Sequence, residues 1–175
     1  MDDLIYNQTK IPKEKWRYGL RSSARVGCGW IATYNALRRM GHEAVPEELI
    51  RYYKRQLPLI HGNMGTMFWG PALYFRKHGF GVTVTNKRKK YDALAKASNV
   101  CILYYHWRHK WKLGGHFVTF EHTPDGYIGY NTYSNSTGPD RWGNSLTEFL
   151  KKRRYFCTFL IGIRNKKSPE GQKEV

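Results

Sequence analysis

The hydrophobic rhythm of this chain changes near residue 80, and that change limits the folds open to it. From Cys28 to Met40, the residues Trp30, Tyr34, Leu37 and Met40 recur at helical spacing; Arg38 and Arg39 suit a C-terminal turn, and Gly41 can end it. A second helix is expected from Pro46, with Glu47 and Glu48 in its first turn, and a third roughly from Thr66 to Lys77, stopping before Gly79. Beyond that point "GVTVTN" alternates, "YDALAKA" makes a short helix, and "VCILYYHW" is a β-rich buried run. "GHFVTFEH" and "GYIGYNTY" flank a "TPDG" turn and form a hairpin. "SLTEFLKK" is a short helix capped by Ser145 or Asn144, with Glu148 at capping-box spacing from Ser145, and "YFCTFLIGI" is a final buried strand. Helices first and antiparallel strands second imply an α+β fold, a helical half packed against a sheet.

With 175 residues, 41% apolar and 15% aromatic, the chain can bury a real core in one domain, expected over 1–164. The segment 165–175, "NKKSPEGQKEV", is a polar tail. No run is long enough for a membrane span, and the opening "MDDLIYNQTKIPKEKW" is too polar for a secretory signal, so a cytoplasmic location is expected. Cys28, Cys101 and Cys157 form an odd set without metal-ligand or disulfide-framework spacing, which favours free thiols in a reducing compartment.

The formal charge of +17 gathers at "NKRKK" (86–90), "RHKWK" (108–112) and "KKRR" (151–154). Such a surface attracts acidic peptides, anionic lipid or nucleic acid non-specifically, or is simply a solvated basic surface. No cluster has the form of a nucleic-acid motif, so no obligatory nucleic-acid partner is expected.

The chemistry rests first on "RVGCGWIATYNALRRMG", where Cys28 lies between two glycines at a helix start. A helix N-terminus favours thiolate, Gly27 and Gly29 keep the approach open, and the Cys28 backbone N–H is available to an oxyanion. A free cysteine in this position also fits an inert core residue. Among seven histidines, His42, His61 and His78 look like surface residues. His106 and His109 could suit a metal on a helix but lack a third ligand, so no metal is expected. His116 follows "LGG", two glycines that let a loop aim the imidazole, and is the best base candidate. Asn131 lies 15 residues later, expected opposite Val118 across the hairpin and sharing a face with His116. A structural role for Asn131 at the strand end is the alternative. Cys101 and Cys157 sit in apolar strand runs as small hydrophobes. Trp69, Trp107 and Trp111 belong to core packing or to a substrate cleft near the site.

The order Cys28, His116, Asn131 resembles the papain-like superfamily, in particular the bacterial leader-peptidase-like (double-glycine peptidase-like) cysteine peptidases, from about Arg17 to Ile163. "VGCGWIATYNALRRMG" is similar to the family's cysteine-bearing first helix, and "GTMFWGPALYFRKHGFGVTV" to its later helix and strand. "GGHFVTFEHTPDGYIGYNTY" resembles the histidine hairpin, and "SLTEFLKK" with "CTFLIGI" the closing helix and strand. The resemblance implies a papain-like α+β fold, with the cysteine at the N-terminus of the first long helix. It also implies a thiol hydrolase acting on a peptide or amide through a thioester, without cofactor. Cys28 would be the nucleophile, His116 the base and Asn131 its orienter. The family usually carries an oxyanion-hole glutamine about six residues before the cysteine; Ser22 stands there, a shorter donor, so the resemblance equally allows a slow or inactive member. Three functions therefore stay open: a cysteine hydrolase, a thioester-dependent acyltransferase, and a papain-like binding module holding an acidic partner or nucleic acid on its basic surface; the expected substrate is a peptide or amide, acidic or not.

Overall fold

The computed structural model describes residues 4–55 and 65–165. The expected tail beyond residue 165 and His61 lie outside the described residues. In chain order, a 3-10 turn Gln8–Lys10 precedes strands β1 (Arg17–Tyr18) and β2 (Arg21–Ser22) and helices α1 (Ser23–Val26), α2 (Cys28–Arg39), α3 (Pro46–Arg55) and α4 (Gly70–Lys77). Strand β3 (Gly81–Thr85), a 3-10 turn Arg88–Lys90 and helix α5 (Tyr91–Lys96) follow. The chain then runs through β4 (Val100–His109), β5 (Lys112–Thr123), β6 (Gly126–Tyr130) and β7 (Asp140–Gly143) to helix α6 (Leu146–Lys152) and strand β8 (Phe156–Arg164). β3 to β8 form one antiparallel sheet in the order β3-β8-β4-β5-β6-β7, and β1 pairs with β2.

The run "VCILYY" has no polar face because both faces of β4 are covered. Val100 and Ile102, with Phe117, Ile161 and Ile163, join the core formed by α2, α3 and α4. Cys101, Leu103 and Tyr105, with Val118, Phe120 and Leu160, join a second core with α5 and α6. Each fully buried Leu, Ile or Phe contributes about 1.5–3 kcal/mol. The sequence pointed to one helical half against a sheet; the short helices α5 and α6 close the other face as well.

Local chemistry sets the helix ends. α2 stops where Gly41 takes φ +80°, with His42 N–H donating to Leu37 O at 3.0 Å and Gly41 N–H to Arg38 O at 3.1 Å. α4 begins at Gly70 rather than Thr66, because Pro71 fits only a first helical turn. Ser145 caps α6, its hydroxyl accepting from Glu148 N–H at 3.3 Å; Asn144 does not take this part. One buried bond fixes α2 against the sheet: Thr119 Oγ1 of β5 donates to Ala32 O at 2.6 Å.

Candidate active site

Cys28 occupies the first position of α2, after Gly27. The flanking glycines are not open ground, contrary to their sequence reading. A Cβ on Gly29 would sit 2.3 Å from Thr66 Oγ1, and one on Gly27 would sit 2.6 Å from Ser23 O and 2.7 Å from Trp30 Nε1. They are glycines because α1 and the Thr66 segment press against the start of α2. That packing reverses the expected electrostatics. Burial raises the Cys28 thiol above its ordinary 9.0, although the backbone N–H groups of Phe117, Gly29 and Cys28 itself favour the thiolate. The residue is half-buried, and its sulfur faces the amide that follows His116 directly.

His116 Nε2 lies 2.8 Å from the main-chain oxygen of Asn131. A carbonyl only accepts, so Nε2 carries the proton and Nδ1 keeps a basic lone pair. Burial holds the imidazole below its ordinary 6.5, so the neutral form prevails. Among the described residues no hydrogen bond joins His116 to Cys28. At rest the two are a neutral thiol and a neutral imidazole on adjoining segments.

The β5–β6 ladder ends where Thr119 pairs with Tyr130, one residue short of the expected Val118–Asn131 pairing. Asn131 has φ +64°, a left-handed conformation that asparagine tolerates, which turns the chain out of β6 and aims its carbonyl at His116. The carbonyl, rather than the side-chain amide, makes this contact. The amide is engaged elsewhere: Gln8 N–H donates to Asn131 Oδ1 at 2.8 Å, and Asn131 Nδ2 donates to Gln8 Oε1 at 3.1 Å. Gln8 Nε2 continues the chain to Ala24 O at 3.2 Å. Asn7 secures the same segment, its Nδ2 donating to Ser134 O at 2.7 Å and its Oδ1 capping Thr9 N–H at 3.0 Å. Gln8 was missed by the sequence reading; the only local signal was the turn-forming Asn7 and Thr9 around it.

Other expectations shift. "LGG" belongs to β5 rather than to a loop, and its glycines make room for neighbours. A Cβ on Gly114 would meet the Trp107 ring at 2.5 Å, and one on Gly115 would meet Tyr104 Oη at 2.4 Å. His106 stands in strand β4, not a helix, with Nε2 3.1 Å from Tyr104 Oη. Ser22 lines a separate surface depression with Lys13, Glu14 and Arg17 and is not brought into the cleft beside His116. Cys101 is buried as expected, but Cys157 is exposed. Tyr104 pairs with Phe159 and His106 with Phe156, a register shift that leaves Cys157 in a bulge at φ +45°.

A cleft of about 550 Å³ opens beside His116 and Asn131, walled by Gln8, Tyr105, Trp107 and Tyr155. Of the three tryptophans, Trp107 is the one found here; Trp69 lines a different groove with Phe68 and Phe159, and Trp111 is fully exposed. No cluster of metal-ligating side chains occurs among the described residues, and no helix there is long and apolar enough to cross a membrane.

No family model and no curated protein matches the sequence. Among solved structures, the chain is similar to the peptidase domain of Streptococcus ComA, a bi-functional ABC transporter involved in a quorum-sensing pathway. The TM-score is 0.53 at 13% identity, over 79% of this chain and 91% of that one. The likeness bears out the fold expected from the sequence: mixed helices and an antiparallel sheet arranged as in that peptidase domain.

Proposed function

We propose that this protein is a cysteine hydrolase of the peptidase or amidase class, with Cys28 as nucleophile, His116 as general base and Asn131 as the group that orients the base. The observation that carries the reading is the bond from His116 Nε2 to Asn131 O, which leaves Nδ1 as the basic nitrogen of the residue whose following amide faces the Cys28 sulfur. The thiol proton passes to Nδ1 as sulfur attacks the substrate carbonyl, and the oxyanion forms against the Cys28 backbone N–H. Collapse breaks the C–N bond, the amine leaves with the imidazolium proton, and a thioester remains on Cys28. Water, deprotonated by His116, then attacks the thioester and releases the acid and the thiol. Ser22 is given no part, since it lines a separate surface depression with Lys13, Glu14 and Arg17. The single domain over 1–164 belongs to the same proposal.

A catalytically quiet binding module is the second reading, and the raised thiol favours it. The two separate by the rate of chloroacetamide alkylation at each cysteine from pH 6 to 10, read by mass spectrometry on the native protein and on His116→Ala. The hydrolase reading expects Cys28 to react faster than a buried thiol should near neutral pH, and to lose that advantage without the imidazole. A Cys28 rate equal to that of Cys101, unchanged in His116→Ala, refutes it.

A further inference from the structure

We propose that the cleft beside His116 is a carboxylate-reading subsite for an acidic peptide, with Arg108 and Arg153 as its charged walls; as a substrate site it rests on the hydrolase reading. Arg108 and Arg153 both line the cleft that holds His116 and Asn131, and no Asp or Glu lines it. Among the described residues neither arginine forms an ion pair with a carboxylate. The acidic residue with an electrostatic hold on the cleft wall, Asp140, accepts the Ser136 hydroxyl at 2.6 Å and does not line the cleft. Arg153 is held in place, its guanidinium carbon 4.6 Å from the Tyr133 ring centroid. Tyr105 and Tyr155 stack with centroids 3.9 Å apart at 10°, which gives the cleft an apolar wall for a peptide stem.

The chemistry follows from this pairing of positive charge with missing counter-charge. A guanidinium offers a planar fork that fits a carboxylate in two hydrogen bonds, and among the described residues neither fork is paired with a carboxylate. Charge clusters far apart in sequence converge on this end of the sheet. Arg108 comes from "RHKWK" and Arg153 from "KKRR", while Arg88 of "NKRKK" donates from Nη2 to Tyr155 O at 2.7 Å. The net charge of +17 draws any anion toward the surface; the cleft adds a position beside the base at which a side-chain carboxylate is recognised.

The test measures binding by anisotropy, with the full chain and tetramethylrhodamine-labelled decapeptide mixtures carrying Glu or Gln at matched positions, at physiological salt. The Glu mixture should bind about tenfold more tightly than the Gln mixture, as one or two charge-assisted bonds require. The preference should vanish in R108Q/R153Q and survive in R51Q/K54Q, which removes the same two charges from α3. Equal loss in both double variants means non-specific attraction and overturns the proposal, as does equal binding of the two mixtures. A labelled single-stranded oligonucleotide that binds more tightly than the Glu mixture, through the same two arginines, also overturns it in favour of nucleic acid. Because the readout does not use Cys28, arginine-dependent peptide binding by a protein with an inert thiol supports the subsite and refutes only the hydrolase chemistry.

Discussion

In Gln8→Ala, Asn131 Nδ2 loses its acceptor at 3.1 Å and Ala24 O loses its donor at 3.2 Å, while the main-chain N–H of residue 8 still reaches Asn131 Oδ1. Each lost bond is worth about 0.5–1.5 kcal/mol net, and a buried donor left unpaired costs about 1–3 kcal/mol. Asn131 is only 3% exposed, so water does not readily replace Gln8. The sum is about 2–4 kcal/mol, or a fall in Tm on the order of 5–15 °C for a chain of this size. The local effect matters more. The reciprocal amide pair holds Asn131 at φ +64°, and that conformation points its carbonyl at His116 Nε2. Once it relaxes, the imidazole loses its fixed orientation, and the histidine-dependent part of Cys28 alkylation should fall by roughly ten- to a hundredfold. Thermal unfolding by circular dichroism and the alkylation pH profile read the two consequences separately. An unchanged melting midpoint together with an unchanged profile would refute the claim that the N-terminal segment supports the base.

Three further outcomes are expected. Burial holds His116 below 6.5 in the folded protein, so the unfolded chain takes up more protons as pH falls through that value; stability should therefore decline on acidification from neutral, and His116→Gln should flatten the decline in urea titrations. In Gly129→Ala the new Cβ would lie 2.2 Å from the Trp142 ring, which is buried and stacked on Phe149 at 4.3 Å; overpacking should cost about 1–3 kcal/mol in denaturant unfolding. Thr119→Val removes the 2.6 Å bond to Ala32 O and should cost about 1–3 kcal/mol, with a drop in alkylation at Cys28 but not at the exposed Cys157, because α2 loses its polar tie to the histidine strand.

What the sequence revealed was local. The ends of α2, the cap of α6 and the β5–β6 hairpin that leads up to Asn131 each follow from residues a few positions apart, where periodicity and turn chemistry act. What it concealed depends on contacts across the fold. Gln8 meets Asn131 over a separation of 123 residues, and nothing in "NQTK" marks that partner. "LGG" carries the composition of a loop, yet its glycines are required by Trp107 and Tyr104 on the adjoining strand. Cys157 sits in an apolar run, but a one-residue bulge turns it to solvent.

The same distinction governs the thiol. A helix N-terminus lowers a thiol pKa only to the extent that its dipole exceeds the cost of burying the charge, and here Thr66 and Trp30 fill the space beside Gly29 and Gly27. On the hydrolase reading, a raised Cys28 and a lowered His116 mean that no thiolate–imidazolium pair stands ready before substrate arrives. Proton transfer must then accompany attack, with His116 acting as a true general base. Such an enzyme should lose activity on the acid side as His116 takes up a proton below 6.5, and should show no alkaline decline from the thiol, since deprotonating Cys28 only supplies more nucleophile. A preformed ion pair would instead require the thiol to titrate below the imidazole, the reverse of the order that burial imposes here.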